Sequence, residues 1–126
     1  SRSWFVFSCA TAVLAGMDRS RTRVCVLGFS QGAAAAARWL GYGSVRAERL
    51  ILWGGEIPPD LPPGTQRERF ARLDLTLVAG TRDQFITSKI LERERQQLEA
   101  HAIPFQVVRY EGGHEIDEAV LRQLAG

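Results

Sequence analysis

The chain has 126 residues, the length of one domain, with 45% hydrophobic and 24% charged residues, which is enough apolar mass for a packed core and too much for a disordered segment. Sixteen basic against 14 acidic residues leave a formal charge of +2, with the signs mixed along the chain rather than grouped, so no nucleic-acid partner is expected. The apolar run nearest the start, Trp4 to Ala15, is too short to span a bilayer.

Trp4 to Gly16 reads as a helix closed by Gly16 and packed on a sheet. The same run has the length of a signal-peptide core with Arg2 at its basic end, but the helix is the preferred reading. A first residue of Ser rather than Met fits a processed or truncated product. Asp18 to Thr22 is a polar turn. Arg23 to Leu27 is a short strand without alternation, the pattern of a strand buried on both faces, and Cys25 within it reads as a packed thiol. Gln31 to Leu40 is a helix ended by Gly41, and its alanines permit a close approach to the sheet. Leu50 to Trp53 is a second buried strand, stopped by Gly54-Gly55.

Residues 56–66 hold four of the five prolines and form a loop, followed by a short helix from Gln66 to Leu73. Leu75 to Ala79 is a third strand. Ser88 to Ala102 is a charged helix with Ile90, Leu91, Leu98 and Ala102 as its inner face. Phe105 to Tyr110, set off by Pro104, is a fourth strand. Ile116, Ala119, Val120 and Leu124 mark a last amphipathic helix. Neither an internal repeat nor a linker interrupts the chain, so 1–126 reads as a single domain. Cys9 and Cys25 make no disulfide framework. With two histidines and no Cys/His cluster, neither a metal site nor another cofactor is expected.

Strands alternating with helices predict a three-layer α/β sandwich with a parallel sheet and right-handed crossovers. In such sheets chemistry gathers beyond the carboxyl ends of the strands. The loops after Leu27, Trp53, Ala79 and Tyr110 are therefore expected on one rim, carrying Ser30, Glu56, Asp83 and His114.

Gly28-Phe29-Ser30-Gln31-Gly32 is a G-x-S-x-G motif with a strand before it and a helix after it, the context of a nucleophile elbow. A serine on so sharp a turn takes a strained backbone, and its neighbours two residues away must be small. The turn lifts the hydroxyl clear of the sheet and aims the Gln31 N–H at any oxyanion that forms. Serine is a weak nucleophile unless a base, itself oriented by a carboxylate, removes its proton. His114, after Gly112-Gly113, is the candidate base and Asp83 the candidate orienter; His101, on the charged helix, is expected to face solvent. Asp117 reads as a cap of the last helix, and Glu56 as a residue that contacts substrate. The motif lacks the spacing and the lysine of a nucleotide-binding loop. The order Ser30, Asp83, His114 is the α/β-hydrolase order.

The stretch from Met17 to Leu124 resembles the C-terminal portion of the phospholipase/carboxylesterase family of α/β-hydrolases, which includes acyl-protein thioesterases. The resemblance rests on Gly28-Phe29-Ser30-Gln31-Gly32, Trp53-Gly54-Gly55-Glu56-Ile57-Pro58, Gly80-Thr81-Arg82-Asp83 and Gly112-Gly113-His114. It implies an α/β-hydrolase fold truncated at its N-terminus. It further implies a cytoplasmic serine hydrolase of ester or thioester substrates, small molecules or lipids, with Ser30 as nucleophile, His114 as base and acid, Asp83 as orienter and Gln31 in the oxyanion hole. A homodimer is left open, and Ile86 and Trp53 are candidates for an acyl pocket.

The departures are also plain. Members of that family carry several strands before the elbow, whereas here one helix is expected. The strands flanking the elbow strand and the loop with the second oxyanion donor are then missing, and removal of one such donor typically costs about 10²–10³-fold in rate. Ala102 stands where a helix-ending glycine is easier, and Thr87 where that family often has proline. The missing front half motivates a rival reading, a catalytically silent hydrolase-like module that binds a partner along an open sheet edge.

Overall fold

The computed structural model describes residues 2–8, 11–15, 23–43 and 45–125. Its elements run β1 (Arg2–Ser8), β2 (Thr11–Ala15), β3 (Arg23–Phe29), α1 (Gln31–Tyr42), β4 (Arg49–Trp53), α2 (Pro63–Phe70), β5 (Asp74–Gly80), α3 (Ser88–Ala100), β6 (Gln106–Tyr110) and α4 (Glu118–Ala125). They form one six-stranded sheet in the order β2-β1-β3-β4-β5-β6. All pairs are parallel except the β1–β2 hairpin, which is antiparallel.

The segment expected as a helix from Trp4 to Gly16 is instead a pair of strands where it is described. β1 lies directly against the elbow strand β3, with Phe5 opposite Val26 and Phe7 opposite Gly28. The apolar edge anticipated there is therefore covered. The signal was present in the sequence: Trp4-Phe5-Val6-Phe7 is all aromatic or β-branched, which favours a pleated surface over a helix. Its side chains also alternate. Phe5 and Phe7 join the core on the α1 side, while Trp4 and Val6 join the core on the α4 side. The expected stop at Gly16, the turn at Asp18 to Thr22 and Cys9 lie outside the described residues.

The three layers are α1, α2 and α3 on one face, the sheet, and α4 on the other. On β4 the alternation is complete: Leu50 and Leu52 face the first core, and Ile51 and Trp53 the second. All four are fully buried, each worth about 1.5–3 kcal/mol over exposure. On α1, Ala33, Ala36, Ala37 and Leu40 fall at helical spacing and are all buried, and the methyl side chains let the helix sit close on β1, β3 and β4. α2 begins three residues before the expected Gln66, with Pro63 at its first turn, where the missing N–H costs nothing. Thr87 caps α3 by accepting the Ile90 N–H at 3.3 Å, and Asp117 caps α4 by accepting the Val120 N–H at 3.0 Å. α3 buries Leu91 and Leu98 as expected, and also Glu94.

Candidate active site

The rim loops are hung on one another by backbone hydrogen bonds. Ser30 N–H, just past β3, donates to the last carbonyl of β4, Trp53 O, at 2.8 Å. Gly54 N–H, just past β4, donates to Val78 O of β5 at 2.8 Å, and Thr81 N–H, just past β5, to Tyr110 O of β6 at 2.9 Å. Arg82 N–H then reaches Gly112 O at 2.8 Å. Each loop is thus fixed by its neighbour, and the side chains they carry are brought to one place.

Ser30 sits at φ 59° and ψ −121°, a positive φ on a residue with a Cβ. The elbow glycines explain how it is held. A Cβ on Gly28 would lie 2.4 Å from Gly32 O, and one on Gly32 would lie 2.1 Å from Phe7 O at the end of β1. Only hydrogen fits at either position.

His114 Nε2 lies 2.8 Å from Ser30 Oγ, and His114 Nδ1 lies 2.9 Å from Asp83 Oδ2. The Asp83 side chain is fully buried, with 0% exposure, and its other oxygen accepts the N–H groups of Phe85 at 2.8 Å and Ile86 at 2.9 Å. Burial alone pushes this carboxyl up, but the Ile86 N–H, His114 and the Phe85 N–H together outweigh it and hold it below the ordinary aspartate value. An ionised Asp83 keeps the imidazole hydrogen on Nδ1, which donates to it, and leaves Nε2 to accept the Ser30 proton. Such an arrangement can move a serine proton onto a ring as the oxygen attacks an acyl carbon. Gln31 is the first residue of α1, so its N–H has no intrahelical partner.

The ring of His114 is flanked by Phe29, with centroids 5.1 Å apart, and by Phe85 at 4.7 Å. Phe85 is 67% exposed. Its loop is fixed, as described, by the Asp83 carboxylate.

Two positioning groups were not visible as such in the sequence. Tyr110 Oη, buried, donates to the backbone of the histidine loop, where Gly113 O lies at 2.8 Å and Glu115 O at 2.5 Å. Trp53 Nε1 donates to Glu115 O at 3.0 Å and to Tyr110 Oη at 3.2 Å. Trp53 therefore does not line an acyl pocket. It lies in the core on the α4 side and braces the loop that carries His114. A tryptophan and a tyrosine ending adjacent-but-one strands are the only clue in the sequence, and it becomes one only when the strand order is known.

A cleft of about 990 Å³ opens beside Ser30 and His114. Glu56 and Ile86 line it, as the sequence suggested, and so do Phe85 and Glu94. His101 is half-buried on the wall of this open cleft; its carbonyl accepts Arg67 Nε at 3.1 Å, and its ring makes no hydrogen bond to Ser30 or Asp83. Glu94 is only 7% exposed, and its Oε1 accepts the Ile57 N–H at 3.0 Å. Burial pushes its carboxyl above the ordinary glutamate value. The Ile57 N–H opposes this, Glu56 adds to it and Arg93 opposes it. Among the described residues no group of three or more His, Cys, Asp or Glu is placed to hold a metal ion, and no helix is long and apolar enough to cross a membrane.

No protein-family model matches the chain, and no curated protein matches it by sequence. Solved structures do resemble it. Acyl-protein thioesterase 2 of Zea mays aligns with a TM-score of 0.69 at 20% identity, over 86% of this chain and 55% of that one. SOBER1 of Arabidopsis thaliana aligns at 0.65 and 17% identity, over 80% and 49%. MGS-M1, an alpha/beta hydrolase enzyme from a Medee basin deep-sea metagenome library, aligns at 0.57 and 16% identity, over 81% and 50%. The chain spans about half the length of the structures it matches. At these identities the likeness speaks for architecture, and the architecture it shows is the α/β-hydrolase fold.

Proposed function

We propose that the chain carries the catalytic side of a serine hydrolase acting on carboxylic esters or thioesters through an acyl-serine intermediate. The observation that supports this most is the pair of hydrogen bonds on His114, 2.8 Å to the Ser30 hydroxyl and 2.9 Å to the buried Asp83 carboxylate. The names of the neighbours in structure, a thioesterase and an alpha/beta hydrolase enzyme among them, agree with it.

In this reading Ser30 Oγ attacks the acyl carbon while His114 Nε2 takes its proton. The carbonyl oxygen becomes an oxyanion beside the Gln31 N–H at the start of α1. Asp83 stabilises the imidazolium and stays ionised itself. As the tetrahedral intermediate collapses, the alkoxide or thiolate leaves and takes the proton from His114. Water then gives a proton to His114, attacks the acyl-serine, and the acid departs as Ser30 recovers its hydrogen.

A fluorophosphonate probe should label the protein, and Ser30→Ala should abolish both the label and the hydrolysis of p-nitrophenyl butyrate. Equal labelling of the variant rejects Ser30 as the nucleophile. A folded wild type that neither labels nor turns over rejects the hydrolase reading.

A further inference from the structure

The hydrolytic machinery described above makes no use of Glu94, the most buried ionisable group on the cleft wall. One of its oxygens is committed to the Ile57 N–H. The other has no hydrogen-bond partner among the described residues, although Glu94 lines the same cleft as Ser30 and His114. That second oxygen is not among the buried unpartnered atoms, so it reaches the cleft and is free to meet an occupant there.

The surrounding wall says what kind of occupant fits. Arg38, Arg93, Gln66 and Gln97 supply donors, and Glu56 supplies acceptors. The charged members are already matched: Arg38 Nη2 lies 2.7 Å from Asp60, and Arg93 Nη2 lies 3.6 Å from Glu56. A permanently charged ligand therefore meets no cluster of counter-charge. Hydroxyl groups, which donate and accept at once, match a wall that offers both functions. Burial that favours the neutral carboxyl makes Glu94 a poor counter-ion and leaves it a good hydrogen-bonding partner.

Position ties this stretch of wall to the reacting centre. A Cβ on Gly54 would lie 3.1 Å from His114 Nδ1 and Cε1, so the loop from Gly54 to Ile57 starts against the ring that hands its proton to the leaving alcohol. That loop then runs three residue steps, at most about 11 Å of chain, to the N–H held by Glu94. The wall that ends at Glu94 thus begins beside the Asp83-facing edge of His114 and borders the same cleft as Ser30.

We propose that Glu94 is a specificity residue that accepts a hydrogen bond from the alcohol part of the substrate, so that the enzyme takes esters of polyhydroxylated alcohols in preference to esters of plain alkanols. The inference rests on the serine-hydrolase reading, and its test separates the two. Wild type and Glu94→Gln are compared on 1-O-butyryl sorbitol and hexyl butyrate, six-carbon alcohols that differ only in their hydroxyl groups, with p-nitrophenyl butyrate as the control. Glutamine keeps an oxygen for the Ile57 N–H, so the loop stays in place.

The wild type should prefer the sorbitol ester. The variant should lose about three- to tenfold of that kcat/KM ratio, the size of one hydrogen bond between uncharged groups, mainly through KM. p-Nitrophenyl butyrate turnover and fluorophosphonate labelling should be unchanged. An identical ratio in both proteins, with labelling intact, reduces Glu94 to a loop brace and overturns the inference while the hydrolase reading stands. Loss of labelling and of all turnover in folded wild type removes both. If the variant does not fold, the wild type decides alone: sorbitol should inhibit p-nitrophenyl butyrate hydrolysis more strongly than hexanol, and the reverse order overturns the inference.

Discussion

Tyr110→Phe tests whether the histidine loop is held from below. The hydroxyl has one proton, so it serves Gly113 O or Glu115 O but not both at full strength, and it accepts from Trp53 Nε1 at 3.2 Å. Phenylalanine keeps the buried ring, which sits 5.7 Å from that of Trp53, and deletes only these bonds. Trp53 Nε1 retains Glu115 O at 3.0 Å, and Gly113 is only partly buried. The cost to stability is therefore that of one to two ordinary hydrogen bonds, about 1–2 kcal/mol. The cost to turnover is larger in proportion, because His114 sits on the released loop, and a displacement near 1 Å at a reacting group is worth up to about 10²-fold. Urea unfolding at pH 7 measures the first quantity, and kcat on p-nitrophenyl butyrate the second. A variant that loses the expected stability yet keeps full kcat refutes the argument that this hydroxyl positions the base.

Asp83→Asn should lower kcat by roughly 10³–10⁴-fold, because an amide does not hold the hydrogen on Nδ1 as the carboxylate does. Since hydrogen bonds hold the native carboxyl below its ordinary value, its contribution to stability is fully present above about pH 4 and is lost as the pH falls through that lower native value. The stability gap between wild type and variant should accordingly be wide at pH 7 and closed at strongly acid pH, and a gap of constant size contradicts the assignment. Ala102→Gly should stabilise the protein by about 0.5–1 kcal/mol, because Ala102 holds φ 56° where α3 ends. There Ala102 N–H returns to Glu99 O at 3.1 Å and Ile103 N–H to Leu98 O at 3.0 Å. A thermal midpoint that does not rise counts against that strain.

Much of this arrangement was legible in the sequence because its signals are local. Gly28 and Gly32 announce close approaches on both sides of Ser30, and Leu50 to Trp53 announces a strand with no exposed face. The strand-end loops carrying Ser30, Asp83 and His114 could be named from element order alone, and they lie together in space. Trp4 to Gly16 misleads because Gly16 imitates a helix stop, whereas the run of aromatic and β-branched residues is what seats β1 beside β3. The bracing by Trp53 and Tyr110 was illegible for another reason. It depends on contacts 57 and 62 residues apart, at the far side of the sheet, and no local pattern encodes them. Glu94 was hidden within a helix whose many charges read as solvated, and its tie to the Ile57 N–H, 37 residues earlier, has no local signature.

The hydrogen bonds that string the rim together, Ser30 to Trp53, Gly54 to Val78 and Thr81 to Tyr110, join main-chain atoms alone. Any residue but proline supplies such a donor, and every residue supplies the acceptor. The spacing of the chemical groups is therefore written into the peptide repeat and makes few demands on the letters around it. Two sequences can differ at four-fifths of their aligned positions, as this chain and the maize protein do, and still share one backbone architecture.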